Sequence, residues 1–283
     1  MSPLPTESRI FADRYMRDLR RAEAKMSNLI APGTSNWNDA MLAFFERVAD
    51  EGSPLKRAKT VLKMTHFLND SVVEGSHFLL DSGGGKRSAG LMFATMSAGE
   101  NPFVGVDEEG VLVTKHMLVT RRNGSIRVLP DVCMAYISKH AVGRMHERGH
   151  NLSDSKASCI VACIGILGLL TRDSEKHIDS GLCMQYDDTL VVGSLKHAMK
   201  NIREGVDING TLYDVRTALP VETVANREML EQGVHATNAV AKWLDDRTIS
   251  RKANVKTAET IPFMPRRDDY TLASATPDRR SNP

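Results

Sequence analysis

Residues Val111–Leu129 read VLVTKHMLVTRRNGSIRVL, and their reading decides the fold class. Two runs rich in Val, Leu and Ile flank a polar centre that contains Asn123-Gly124. Asn-Gly tolerates the positive φ values of a tight two-residue turn, so it is a strong local signal for a β-hairpin. Antiparallel strands are expected over about Val111–Val119 and Ser125–Leu129. The chain therefore carries a sheet at its centre, and the flanking segments decide what covers it.

Upstream, Phe11, Tyr15, Leu19, Ala22, Met26 and Leu29 recur at steps of three and four, which predicts a helix over Arg9–Ile30. Pro32 and Gly33 interrupt it. A second helix is expected over Trp37–Val48, with Asn36 as cap and Met41, Phe44, Phe45 and Val48 as its apolar stripe. A third starts near Ser53-Pro54, where proline suits a first helical position. The stretch DSGGGKRSAG follows. It is not a phosphate-binding loop of the G-x-x-x-x-G-K-[ST] kind, because Arg87 follows Lys86 and Leu80 stands where the first glycine belongs. A flexible exposed turn is expected there.

Downstream, Ile137–His150 reads ISKHAVGRMHERGH and predicts a helix capped by Ser138 and ended by Gly149. A further helix is expected over Ser153–Leu170. LCMQY, TLVVGSL and TLYDVRTAL read as strands, with turns at Asp187-Asp188 and Asn209-Gly210. A last helix is expected over Val221–Leu244. The expected class is α+β: an N-terminal helical subdomain followed by a small antiparallel sheet with packed helices. The corresponding segments are a helical N-terminal region (1–80), a glycine-containing linker (81–109), a central α+β domain (110–247) and a disordered tail (248–283) rich in Arg, Asp, Ser, Thr and Pro.

Composition narrows the function classes. The 283 residues include 37 basic and 35 acidic side chains, a net charge of +2, so any affinity for nucleic acid must come from a local patch. Aromatics make up 5%, which argues against a platform of several base-stacking rings. Cys133, Cys159, Cys163 and Cys183 are too few for a disulfide scaffold, and the Cys159/Cys163 pair in an apolar run reads as buried packing. That run, Cys159–Leu170, falls well short of the ~20 residues of a membrane span. The N-terminus lacks the apolar core of a secretory signal. A cytoplasmic protein with no membrane association and no cofactor is expected.

Within ISKHAVGRMHERGH two chemistries overlap. HERGH matches the H-E-x-x-H pattern, in which His146 and His150 would hold zinc and Glu147 would activate a water. Against that zinc-dependent hydrolase stand Gly149, which takes His150 off the helical face, and the lack of a marked third ligand. The other pattern is a row. His140, Arg144 and Arg148 are spaced i, i+4, i+8 and line one helix face. Guanidinium groups grip phosphate oxygens, and an imidazole moves protons near neutrality. These are minimal parts for metal-independent RNA cleavage.

Ser138-Lys139-His140-Ala141, Arg144-Met145 and Arg148-Gly149 together resemble the S-x-H-A-x-x-R-M-x-x-R-G signature of a small bacterial domain of unknown function, often likened to RelE-type toxins of the barnase-like ribonucleases. The resemblance covers about residues 137–219. It implies a toxin-like RNA-binding or RelE-like endoribonuclease module with His140, Arg144 and Arg148 as its functional positions. Lys115, Arg121 and Arg122 at the hairpin, and Arg216 in TLYDVRTAL, are further candidates for contact with an RNA backbone. Lys115 and its neighbours also suit protection of a sheet edge. Asp214 and Arg216 fall on one strand face, where they can pair with each other or with the motif helix; a simple cross-strand ion pair is the expected outcome. The alternative to an RNA site is a non-catalytic interaction module, with the N-terminal helices as the place for a protein partner.

Overall fold

The computed structural model describes residues 4–34, scattered positions between 39 and 60, and residues 77–85, 88–103, 108–120, 126–150, 152, 158–171, 181–198, 206–207 and 211–252. The fold is α+β. Helix α1 (Thr6–Ile30) leads into strands β1 (His77–Gly85), β2 (Ser88–Glu100), β3 (Glu109–Thr120) and β4 (Ile126–Ser138). Helices α2 (Lys139–Glu147) and α3 (Ser158–Thr171) follow. Strands β5 (Gly181–Tyr186), β6 (Thr189–His197), β7 (Val206–Asp207) and β8 (Thr211–Pro220) come next, then a 3-10 turn (Val221–Thr223) and helix α4 (Arg227–Lys252).

All eight strands join one sheet in the order β1-β2-β3-β4-β8-β6-β5, with β7 pairing β4. The expected hairpin is present, with Val119 opposite Arg127 and Thr120 opposite Ile126. Its turn residues, including Arg121 and Arg122, lie outside the described residues. Strand β4 runs on past Leu129 to Ser138. β1 to β4 form an antiparallel meander, and β8, β6 and β5 form a second antiparallel set. The two sets meet where β4 and β8 run parallel, Ala135 opposite Tyr213 and Ile137 opposite Val215.

Two expectations are corrected. The segment read as a linker is strand: β1 and β2 pair as a hairpin with Gly85 opposite Ser88. Strand β3 is not an edge, because it lies between β2 and β4, so Lys115 does not serve as edge protection. Other differences are shifts of boundary. Helix α1 starts at Thr6, and α4 spans Arg227–Lys252, extending into the segment expected to be tail; α3 is described from Ser158, and the expected start at Ser153 lies outside the described residues. The rest of that tail, 253–283, lies outside the described residues. So do most positions of the second and third N-terminal helices, and Lys86 and Arg87. The described positions between 39 and 50 are helical.

Helices α1 to α4 cover one face of the sheet. Alternation along the strands sends Val111 and Val113, Ala135 and Ile137, and Tyr213 and Val215 into a core shared with these helices. Helix α1 contributes Ala12, Tyr15, Met16 and Leu19 to it, so its apolar stripe belongs to the same core as the sheet. Helix α3 is apolar all round and buried from Ile160 to Gly168. Its Gly168 lies so close to β4 that a Cβ there would stand 2.1 Å from the Met134 carbonyl oxygen. The opposite face carries a smaller cluster of Phe103, Leu112, Cys133, Tyr136, Ala198 and Leu212. Among the described residues no helix is long and apolar enough to cross a membrane.

Candidate functional site

Helix α2 is set at both ends by its sequence. The Ser138 hydroxyl accepts the Ala141 N–H at 3.1 Å, satisfying one of the unpaired amides of the first turn, and donates to the Arg216 carbonyl at 3.3 Å. The cap therefore also ties the helix to β8. Helical backbone ends at Glu147, and Gly149 takes φ +81°, a left-handed conformation that glycine adopts without steric cost. Ala141, Val142 and Met145 are fully buried against the sheet and α1. That choice of buried side leaves His140, Arg144, Glu147 and Arg148 together on the half-buried side.

Two members of the row, His140 and Arg144, are in contact, and an acid stands beside them; no contact joins Arg148 to either. Arg144 Nε donates to His140 Nε2 at 3.5 Å, and Arg144 Nη1 meets Glu147 Oε2 at 2.7 Å. Both members of the ion pair are mostly covered, at 13% and 12% side-chain exposure, so solvent screens it less than a surface pair. Burial holds the His140 imidazole below its ordinary value; the adjacent Arg144 adds to that and Glu147 opposes it. A neutral ring is also what allows Nε2 to accept from a guanidinium. Glu147 Oε1 and Arg148 Nε are buried atoms with no hydrogen-bond partner.

The two histidines of HERGH part company. His146 lies flat on Phe11 of α1, with ring centroids 3.8 Å apart and planes 3° from parallel. His150, beyond the end of the helix, bonds Thr189 Oγ1 at 2.9 Å and packs edge-on to Tyr186. Burial lowers its pKa, while Asp187 and Asp188 pull the other way. The imidazoles engage different elements. Among the described residues no group of three or more His, Cys, Asp or Glu is placed to hold a metal ion. Cys133, Cys163 and Cys183 are buried.

Arg216 does not join the α2 row. Its partners are Asp214 Oδ2 at 2.7 Å and Glu108 Oε2 at 3.2 Å, on the sheet face away from the helices. Alternation explains this, because Tyr213 and Val215 face the helices and Asp214 and Arg216 face away. Of the two pairings the sequence left open, Asp214 with Arg216 is the one present, within a single strand. Lys115 sits half-buried within the interior strand β3, opposite Ala94 and Val132.

Around Arg216 is a cluster that sequence reasoning found only in part. Lys196 of β6 meets Asp214 Oδ2 at 2.8 Å. The Tyr136 hydroxyl donates to the Glu108 carbonyl at 3.1 Å, and the Arg216 guanidinium lies 6.0 Å from the Tyr136 ring centroid. Burial, with the Glu108 carboxylate beside it, pushes the Tyr136 phenol far above its ordinary value. Alternation in TLYDVRTAL could place Asp214 and Arg216 together; Lys196 and Glu108 come from other parts of the chain and needed the strand register. Comparison with protein-family models, with curated proteins and with solved structures finds no significant match.

Proposed function

We propose that the protein is an RNA-binding module that contacts the phosphate backbone through the α2 row, and that the same row serves a metal-independent, RelE-like endoribonuclease activity. The observation that carries this reading is the contact series His140–Arg144–Glu147 on one side of a rigidly capped helix. A neutral imidazole, a carboxylate and guanidinium groups within two turns supply proton acceptors and phosphate-binding donors without a metal. The S-x-H-A-x-x-R-M-x-x-R-G pattern supports the same positions. The test is fluorescence anisotropy with a labelled single-stranded RNA, followed by gel analysis of the incubated RNA. His140→Ala is expected to abolish cleavage while retaining binding. Arg144→Ala and Arg148→Ala are expected to weaken binding and flatten its salt dependence, by roughly 0.7 in the log–log slope per lost phosphate contact. Unchanged binding in both arginine variants would overturn the reading.

One observation favours a second reading. Glu147 already holds Arg144, which suits a pre-satisfied contact surface of a non-catalytic protein-interaction module. Wild-type protein that neither binds nor cuts RNA in the assay above would leave that reading standing.

A further inference from the structure

Helix α1 turns a line of cations to solvent. Ala12, Tyr15, Leu19 and Met26 set its buried side. At about 3.6 residues per turn, Arg14, Arg17, Arg21 and Lys25 fall on the opposite side, and all of them are exposed. Arg14 and Arg21 have side-chain exposures of 76% and 79%. Asp18 stands beside them, 3.7 Å from Arg14 and 3.5 Å from Arg21, and is itself 46% exposed. Exposed pairs of this kind are weak, so a phosphate displaces the carboxylate at little cost. Two charges on the flanks of the helix are used within the fold, Arg20 by Glu109 and Asp13 by Lys139. The ridge thus concentrates positive charge on a chain whose net charge is only +2, and such a local patch is what affinity for nucleic acid requires here.

Three features decide what the ridge takes. Its members follow one another at three, four and four residues, which is about 4.5–6 Å along the helix axis. Phosphates succeed one another along a nucleic-acid strand on that scale, and guanidinium and ammonium groups both bind them. A protein partner needs an apolar centre that can be desolvated, and Ile10 at the end of the ridge is a single such side chain. An anionic membrane holds a helix that can sink an apolar face into it, but the apolar face of α1 is spent on the protein's own core.

We infer that the solvent face of α1 is a phosphate-contact ridge for an RNA strand, with Arg14, Arg17, Arg21 and Lys25 as its contacts. The inference rests on the reading of the chain as an RNA-binding protein, but not on the α2 row. The Phe11–His146 stack and the Asp13–Lys139 pair fasten α1 to α2, so ridge and row are held in a fixed relation. Phosphate contacts carry no sequence information, so the ridge adds affinity and no base preference.

The test is anisotropy of a labelled single-stranded RNA with the full chain over a range of salt concentrations. Arg17→Gln with Lys25→Gln removes two exposed ridge charges outside the Asp18 pairs. Arg227→Gln with Lys242→Gln removes two exposed charges from α4 and is the control. The ridge variant is expected to bind about fivefold more weakly or worse, with a log–log salt slope lower by roughly 1.4, or about 0.7 per lost contact. The control is expected to bind like the wild type, and both variants to keep the wild-type circular dichroism melt. Should the ridge variant melt early, Arg17→Gln alone, with roughly half the change in slope, decides. Wild-type binding by the ridge variant, or an equal loss in the α4 control, would overturn the inference. So would poly-glutamate or phosphatidylserine vesicles that compete as well as unlabelled RNA. Loss in the ridge variant beside unchanged binding in Arg144→Ala and Arg148→Ala would sink the α2 row and leave the ridge standing; the reverse pattern would sink the ridge alone.

Discussion

Phe11 of α1 and His146 of α2 form a parallel ring stack with centroids 3.8 Å apart. The first histidine of HERGH therefore does packing work between two helices. His146→Ala is expected to destabilise the fold by about 1–2 kcal/mol, and His146→Phe, which keeps a ring on Phe11, by under ~1 kcal/mol. Urea unfolding of the two variants checks this. Equal losses in both would show that the stack contributes nothing and that a polar role of the imidazole dominates.

Ser138 caps α2 and bonds the Arg216 carbonyl as well. Ser138→Ala is expected to cost about 1–2 kcal/mol, the upper part of the range for a lost N-cap, because a second bond goes with it. Ser138→Asp should recover part of that loss, since a carboxylate also accepts from the first-turn amides. Denaturant midpoints at constant slope report the difference.

Glu147 competes with any phosphate for Arg144. Glu147→Gln is expected to tighten RNA binding by ~1 kcal/mol, about fivefold, while destabilising the fold by roughly 1–3 kcal/mol through loss of a charge-assisted bond. If the same substitution leaves binding unchanged, Arg144 does not contact RNA. Loss of cleavage with retained binding in this variant would mark the carboxylate as a proton acceptor.

His140 and His150 are both held below the ordinary imidazole value of 6.5, in each case chiefly by burial. The unfolded chain then binds protons more readily than the folded one in the range just below that value. Stability should be unaffected by these groups above about pH 7.5 and fall as pH drops through about 6.5 toward 5. Replacing His150 with Gln should reduce the slope. Melting temperatures across that range decide it; a slope of opposite sign would show that the carboxylates Asp187, Asp188 and Glu147 dominate their neighbours.

Asp214 balances Lys196 and Arg216 from a fully buried position. Asp214→Ala leaves two partly covered cations facing each other and is expected to cost about 2–4 kcal/mol. Adding Lys196→Met should restore some of that loss, which a double-mutant cycle measures. Simple additivity would mean the two charges do not sense each other.

The legible parts of this fold were those written locally. Asn123-Gly124 and the Val/Leu alternation announced the β3–β4 hairpin, and the steps of three and four announced α1. Ser138 and Gly149 marked both ends of α2, and with them the departure of His150. The β1–β2 hairpin was hidden because Asp81–Gly85 and Ser88–Gly90 lack the β-branched and aromatic residues that identify strands; the pairing holds them, not their own preference. In the same way the i, i+4 spacing revealed the His140–Arg144 contact. The use of His146 by Phe11, of His150 by Thr189, and of Asp214 by Lys196 depended on elements distant in the chain, and no local pattern records such meetings.

The parallel seam between β4 and β8 sets an order of assembly. Ser138 and Arg216, bonded across it, are 78 residues apart, whereas the hairpins on either side close over short turns. Chain closure over the longer distance carries the larger entropic cost, so the meander and the β5–β6 hairpin can nucleate separately and the seam zips last. On a ribosome the first half then waits with the outer edge of β4 unpaired until β7 and β8 emerge. Pulse-labelling hydrogen exchange would show this as late protection of Tyr213–Val215 after early protection of Val111–Val113.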